Sequence, residues 1–179
     1  VEAASVTAAL RLPLDSSWSR EVVQVPVPHR PQPLRVLTLQ PAESANGRLV
    51  VISHGLWDDP ESFEGWGEVL AAHGYTVLMP DHPGSDFNQQ KAMLAGDAPP
   101  PGPEELRLRP LDVSALLDAI SEGRFLASAK LNTDAVAVVG HSWGGTTTLQ
   151  LAGGVPKEQI LKSHCNDLKH SERNISWVL

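Results

Sequence analysis

The run Ala135-Val-Ala-Val-Val-Gly-His-Ser-Trp-Gly-Gly145 (AVAVVGHSWGG) begins as a strand and ends as a helix. Ala135–Val139 is short, continuous and rich in β-branched residues, the pattern of a parallel strand covered on both faces. Thr146–Ala152 continues as a helix, so Gly140-His141-Ser142-Trp143-Gly144 is a G-x-S-x-G turn between the two. A strand and a helix can pass closely at such a turn only where side chains are missing, which gives Gly140 and Gly144 their purpose. The turn holds Ser142 proud and strained, and the helix behind it points its positive end and free N–H groups toward any oxyanion formed there. Ser142 is therefore the candidate nucleophile. The bland alternative is a glycine-bracketed connection with a surface serine. His141 adjoins Ser142 in sequence, and neighbours on such a turn point apart, so it reads as a packing residue rather than the catalytic base.

Two further runs, Leu49–Ser53 (LVVIS) and Tyr75–Met79 (YTVLM), have the same buried-strand character. Between them Phe63, Trp66, Val69, Leu70 and His73 recur at helical spacing, with Asp59 as cap, Pro60 in the first turn and Gly74 as terminator. A second helix is expected within Leu106–Ile120, with Leu116, Leu117 and Ile120 on one face. Upstream, Glu21–Pro28 and Leu34–Gln40 alternate apolar and polar residues, as an antiparallel pair at a sheet margin does. The order β-β-β-α-β-α-β-α predicts an α/β fold: a mostly parallel sheet with an antiparallel N-terminal edge and helices on both faces. Pro80–Pro103 is long for a connection, resists regular structure around Pro99–Pro103, and reads as active-site rim.

The chain has 179 residues, 41% hydrophobic and 20% charged, which suits one soluble domain. Residues 1–20 read as a tail or linker and 21–179 as the domain. A net charge of −7 with no basic cluster excludes nucleic acid as a partner. No apolar run is long enough to span a bilayer, and a single cysteine, Cys165, excludes an internal disulfide. No cofactor or metal is implied, and the compartment is not fixed.

A second motif, Ser53-His54-Gly55-Leu56, follows the LVVIS strand. An oxyanion hole needs two backbone N–H donors converging on one point. One follows the nucleophile, here Trp143; the other comes from the loop after the third strand, here Leu56. His54 in this turn reads as a loop brace rather than a base. Trp57 is either an acyl-pocket wall or a core residue.

On the segments Ser53–Asp86 (SHGLWDDPESFEGWGEVLAAHGYTVLMPDHPGSD) and Val136–Gly145 (VAVVGHSWGG), the chain resembles the dienelactone-hydrolase-like branch of the α/β-hydrolases. That branch includes platelet-activating-factor acetylhydrolases and bacterial polyester hydrolases. The resemblance runs from about Glu21 to Ala152. It implies an α/β-hydrolase fold and a serine esterase or lipase, with Ser142 as nucleophile and Leu56 and Trp143 as oxyanion donors. Dienelactone hydrolases proper carry cysteine at the elbow, where this chain carries Ser142.

The same resemblance implies that an acid and a histidine follow the serine in chain order. The sequence after Ser142 offers Asp167 and His170 in that order, yet three residues apart on a polar tail, where acid and base normally follow separate strands. The acid and histidine are therefore expected beyond Leu179, and the chain, which begins at Val1 without Met, is read as a piece of something longer and incomplete at its C-terminus. His164, Cys165, Asp167 and His170 match no strong zinc spacing, and Asn174-Ile175-Ser176 is a formal glycosylation acceptor. The expected activity is hydrolysis of a small-molecule or lipid-like carboxylic ester through an acyl-Ser142 intermediate. The 179 residues alone are expected to turn over poorly. The competing reading is a catalytically silent binding module, or an inactive fragment needing a complementary chain.

Overall fold

The computed structural model describes residues 17–43 and 45–154. Five strands, β1 (Trp18–Val25), β2 (Leu34–Pro41), β3 (Leu49–Ser53), β4 (Thr76–Pro80) and β5 (Val136–Gly140), form one sheet in the order β1-β2-β4-β3-β5. β1 and β2 are antiparallel to each other, and β2 to β4, while β3 runs parallel to both β4 and β5. This is the anticipated α/β sheet with an antiparallel N-terminal margin. β1 starts at Trp18 rather than Glu21 and stops at Val25, because Pro26 and Pro28 cannot donate to a ladder.

The strands carry two cores because their side chains alternate between faces. Leu49 and Val51 of β3 join Val36, Leu78, Val113, Leu116 and Ala119 on one side. Val50 and Ile52 join Leu37, Leu39, Ala71, Val77 and Met79 on the other. Helix α1 (Glu64–Ala72) covers the second face; helices α3 (Pro103–Ser121) and α4 (Trp143–Leu151) serve the first. Between β4 and α3 lies a further helix, α2 (Phe87–Ala95).

The end signals of α1 are as read from the sequence. Asp59 accepts the Ser62 N–H at 3.1 Å at the head of a short Pro60–Phe63 turn that leads into the helix. Gly74, at φ 86°, ends it: Gly74 N–H reaches Ala71 O and Tyr75 N–H reaches Leu70 O. Its buried face differs from expectation. Trp66 is 69% exposed, and Gly67 and Ala71 face the sheet instead. A methyl carbon at Gly67 would stand 2.8 Å from Leu39 Cδ1 and 2.9 Å from Met79 Cε, so the large residues of the sheet fill the interface and the helix supplies the space.

The Pro80–Pro103 connection is a second correction, since α2 occupies its middle. Asp86 caps it by accepting the Gln89 N–H at 2.8 Å, and Gly96 closes it at φ 83°. The Asp86-x-x-Gln89 spacing and Gly96 are ordinary helix-end signals, outweighed in the sequence by the prolines around them.

β5 also departs from its reading as a strand covered on both faces. It pairs with β3 on one side and with no described element on the other, and Val139 is 52% exposed. No helix among the described residues is long and apolar enough to cross a membrane.

Candidate active site

Ser142 lies between the last residue pair of the β3–β5 ladder, Ser53 with Gly140, and the first turn of α4. Its backbone sits at φ 52°, ψ −116°, a conformation that costs a non-glycine residue about 1–3 kcal/mol. The residue is exposed. Both glycines of the turn are sterically required. A Cβ on Gly140 would overlap the backbone of Gly144 and lie 2.7 Å from Gly145 N. One on Gly144 would collide with the Ser53 carbonyl and stand 2.8 Å from His54 O. The head of α4 is thus pressed against the loop that leaves β3.

That loop carries the second motif. A methyl carbon on Gly55 would stand 3.4 Å from Ser142 Cβ, so the Gly55–Leu56 segment borders the serine. Among the described residues neither the Leu56 nor the Trp143 N–H has a hydrogen-bond partner. Trp57, half-buried, sits at φ 66°, held by its N–H to Ser85 O at 3.0 Å. The His141 ring lies beside Gly55, its Nδ1 3.1 Å from where a methyl carbon on that glycine would stand, and 6.1 Å between centroids from the ring of Phe63.

Beneath the loop lies a polar cluster that the sequence reading did not find. His82, Arg109, Asp112 and Ser53 are fully buried. His82 Nδ1–H donates to Asp112 Oδ2 at 2.8 Å, which leaves Nε2 to accept the Ser53 hydroxyl at 2.9 Å. Burial, outweighing the bond to Asp112, pushes the His82 imidazole down to about 3, so it is neutral. Burial alone would raise the Asp112 carboxyl. Hydrogen bonds from His82 and from the Arg30 guanidinium (Nε 2.9 Å, a terminal nitrogen 2.8 Å) hold it at about 2. His29 adds a contact at 2.7 Å. The arrangement has the connectivity of a Ser-His-Asp triad, yet no substrate reaches it.

His54 is the loop brace its position suggests. Nδ1–H donates to Gly55 O at 2.7 Å and Nε2 accepts the His82 N–H at 3.1 Å. Burial and the nearby Arg109 charge lower it to about 4, so it too is neutral. Asp81, which follows β4, is pushed up to about 7 by burial and the neighbouring Asp86 charge, against the pull of Arg35. Among the described residues its Oδ1 has no hydrogen-bond partner. It borders a polar cavity of about 350 Å³ with Arg35, Glu61, Phe87 and Lys91, which Ser142 does not line.

Residues 49–168 match the model of the alpha/beta hydrolase family. The chain belongs to that family. Among curated proteins none matches it. The alpha/beta hydrolase assignment makes the protein a hydrolase and accounts for the strand order and the serine on a strand–helix elbow. No described histidine is hydrogen-bonded to Ser142. Among the described residues no group of three or more His, Cys, Asp or Glu is arranged to hold a metal ion. His164, Cys165, Asp167, His170 and the Asn174–Ser176 acceptor lie outside the described residues.

Proposed function

We propose that this hydrolase is a serine esterase of the dienelactone-hydrolase-like, lipase-like kind, cleaving small-molecule or lipid-like carboxylic esters. Ser142 is its nucleophile, and the Leu56 and Trp143 amides are its oxyanion donors. One observation carries the reading: an exposed serine at φ 52° stands at the head of α4, beside a loop whose Leu56 N–H is without a partner among the described residues. Such amides need no reorganisation when charge appears on the substrate oxygen.

In the proposed reaction the Ser142 hydroxyl attacks the ester carbonyl carbon while its proton passes to an imidazole. The oxyanion rests on the two amides, and the alcohol leaves with that proton. Water then attacks the acyl-serine by the same route and releases the acid. A serine hydroxyl is too weak a nucleophile at neutral pH without that base. His54 and His82 are buried and committed to other partners, and no described histidine is hydrogen-bonded to Ser142, so we assign base and acid to parts of the protein outside the described residues. In the same reading the domain begins near Glu21 and the 179 residues carry the nucleophile half of the site.

The test is phosphonylation of the intact protein with a fluorophosphonate, which displaces fluoride and leaves a covalent adduct. Peptide mass mapping is expected to place the adduct on Ser142. An intact protein that hydrolyses no ester and yields no adduct would be the catalytically silent binding module instead.

A further inference from the structure

Arg109 is the largest fully buried side chain in the described protein, and its partners are unusual for a buried cation. Its guanidinium reaches the His54 carbonyl, Ser85 Oγ at 3.0 Å, Thr147 Oγ1 at 3.3 Å and Ser53 Oγ at 3.4 Å. All four are neutral oxygens. Removing a guanidinium from water is strongly unfavourable, and an apolar side chain would join α3 to the sheet at less cost. Burial lowers Arg109 to about 10, which leaves it charged at neutral pH.

The partners share a location rather than an element. The His54 carbonyl belongs to the loop that presents the Leu56 amide. Ser85 holds the same loop from the other side, since its carbonyl accepts the Trp57 N–H at 3.0 Å. Thr147 is on α4, and its hydroxyl donates at 3.0 Å to the carbonyl of Trp143, the residue that presents the other amide. One planar group therefore reaches both halves of the proposed oxyanion hole. Its hydrogen-bond directions are fixed by its own geometry, as a lysine's are not.

Resting on the reading of Ser142 as nucleophile, we infer that Arg109 is a positioning residue that sets the spacing of the Leu56 and Trp143 amides, with Thr147 as its relay to α4. It touches no reacting atom. Its effect is on kcat and on tetrahedral species rather than on ground-state binding.

The experiment measures the fluorophosphonate labelling rate at Ser142, ester kcat and KM, and thermal midpoint in the intact protein. The variants are Thr147→Val, Arg109→Lys and Arg109→Met. Loss of one oxyanion donor costs about 10²–10³ in rate, so a partial displacement of both is expected to slow Arg109→Met about 100-fold, and of the Trp143 amide alone to slow Thr147→Val about 10-fold. Arg109→Lys is expected between wild type and Arg109→Met. KM is expected to stay within about 3-fold. Thr147→Val keeps the shape of the side chain and decides the matter should the Arg109 variants not fold. Wild-type labelling and kcat in Thr147→Val, with only the thermal midpoint changed, would overturn the inference and leave the Ser142 reading intact. Absence of any Ser142 adduct in the wild type would overturn both.

Discussion

Two serines stand at the same end of two neighbouring parallel strands, and their surroundings are opposite. Ser53, the last residue of β3, is hydrogen-bonded to an imidazole that is in turn held by a carboxylate. It is fully buried, in unstrained strand geometry and out of reach. Ser142, just past β5, is exposed and strained beside two amides that have no partner among the described residues, and no described imidazole holds it. The contrast separates two things that a list of triad residues merges. Hydrogen-bond connectivity of Ser, His and Asp can serve architecture alone: here it satisfies polar groups under a loop. Catalysis needs in addition an accessible oxygen and donors waiting where charge will develop.

The largest effect that tests this contrast is on turnover. In the intact protein Ser142→Ala is expected to lower ester hydrolysis by about 10⁴–10⁶. Ser53→Ala is expected to keep it within about 10-fold, since Ser53 supplies support and no chemistry. Near-equal losses in steady-state kinetics would erase the distinction.

The next effect is on stability. His82 is held at about 3 in the folded protein, against roughly 6.5 in an unfolded chain. As pH falls the unfolded state takes up the proton first, so folding stability is lost between about pH 6.5 and 3. His82→Gln is expected to cost about 1–3 kcal/mol at pH 7, from the lost bond to Asp112. It is also expected to show a shallower decline across that acid window. Urea titrations of both proteins at a series of pH values read this directly, and parallel acid limbs would count against a buried neutral His82.

The smallest effect concerns Asp81, where the buried side of the comparison is imperfect. Its carboxyl, at about 7 when folded, keeps a proton that the unfolded chain gives up near pH 4. Its contribution to stability is therefore whole below about pH 4 and is lost as pH climbs to about 7. Asp81→Asn, which cannot ionise, is expected to be more stable than wild type by about 1 kcal/mol at pH 8, with the gain shrinking toward pH 4. A constant difference across that range in the same titrations would show that Asp81 does not titrate as described.

Much of this protein was written locally. The strands β3, β4 and β5, the antiparallel margin, the ends of α1 and the glycine-framed elbow follow from periodicity, capping and the need to remove a Cβ where backbones cross. These depend on residues within a few positions of one another. Gly140 and Gly144 belong to the same class, since strand and helix meet within the motif itself.

What only tertiary structure decided is where the charges went. Arg109 and Asp112 sit in a helix whose pattern Leu116, Leu117 and Ile120 already explained, and a charged residue there reads as solvent-facing. They are buried because partners distant in the chain, His82 and Arg30 for Asp112, Ser85 and the His54 carbonyl for Arg109, converge on them only after the sheet has formed. Trp66 is the converse: its spacing marked it for the core, but Leu39 and Met79 fill that space, so α1 presents Gly67 and Ala71 instead. Short-range sterics and periodicity can be read along a line. Satisfaction of a buried charge is a property of a volume, and its members are named only when the chain has folded around it.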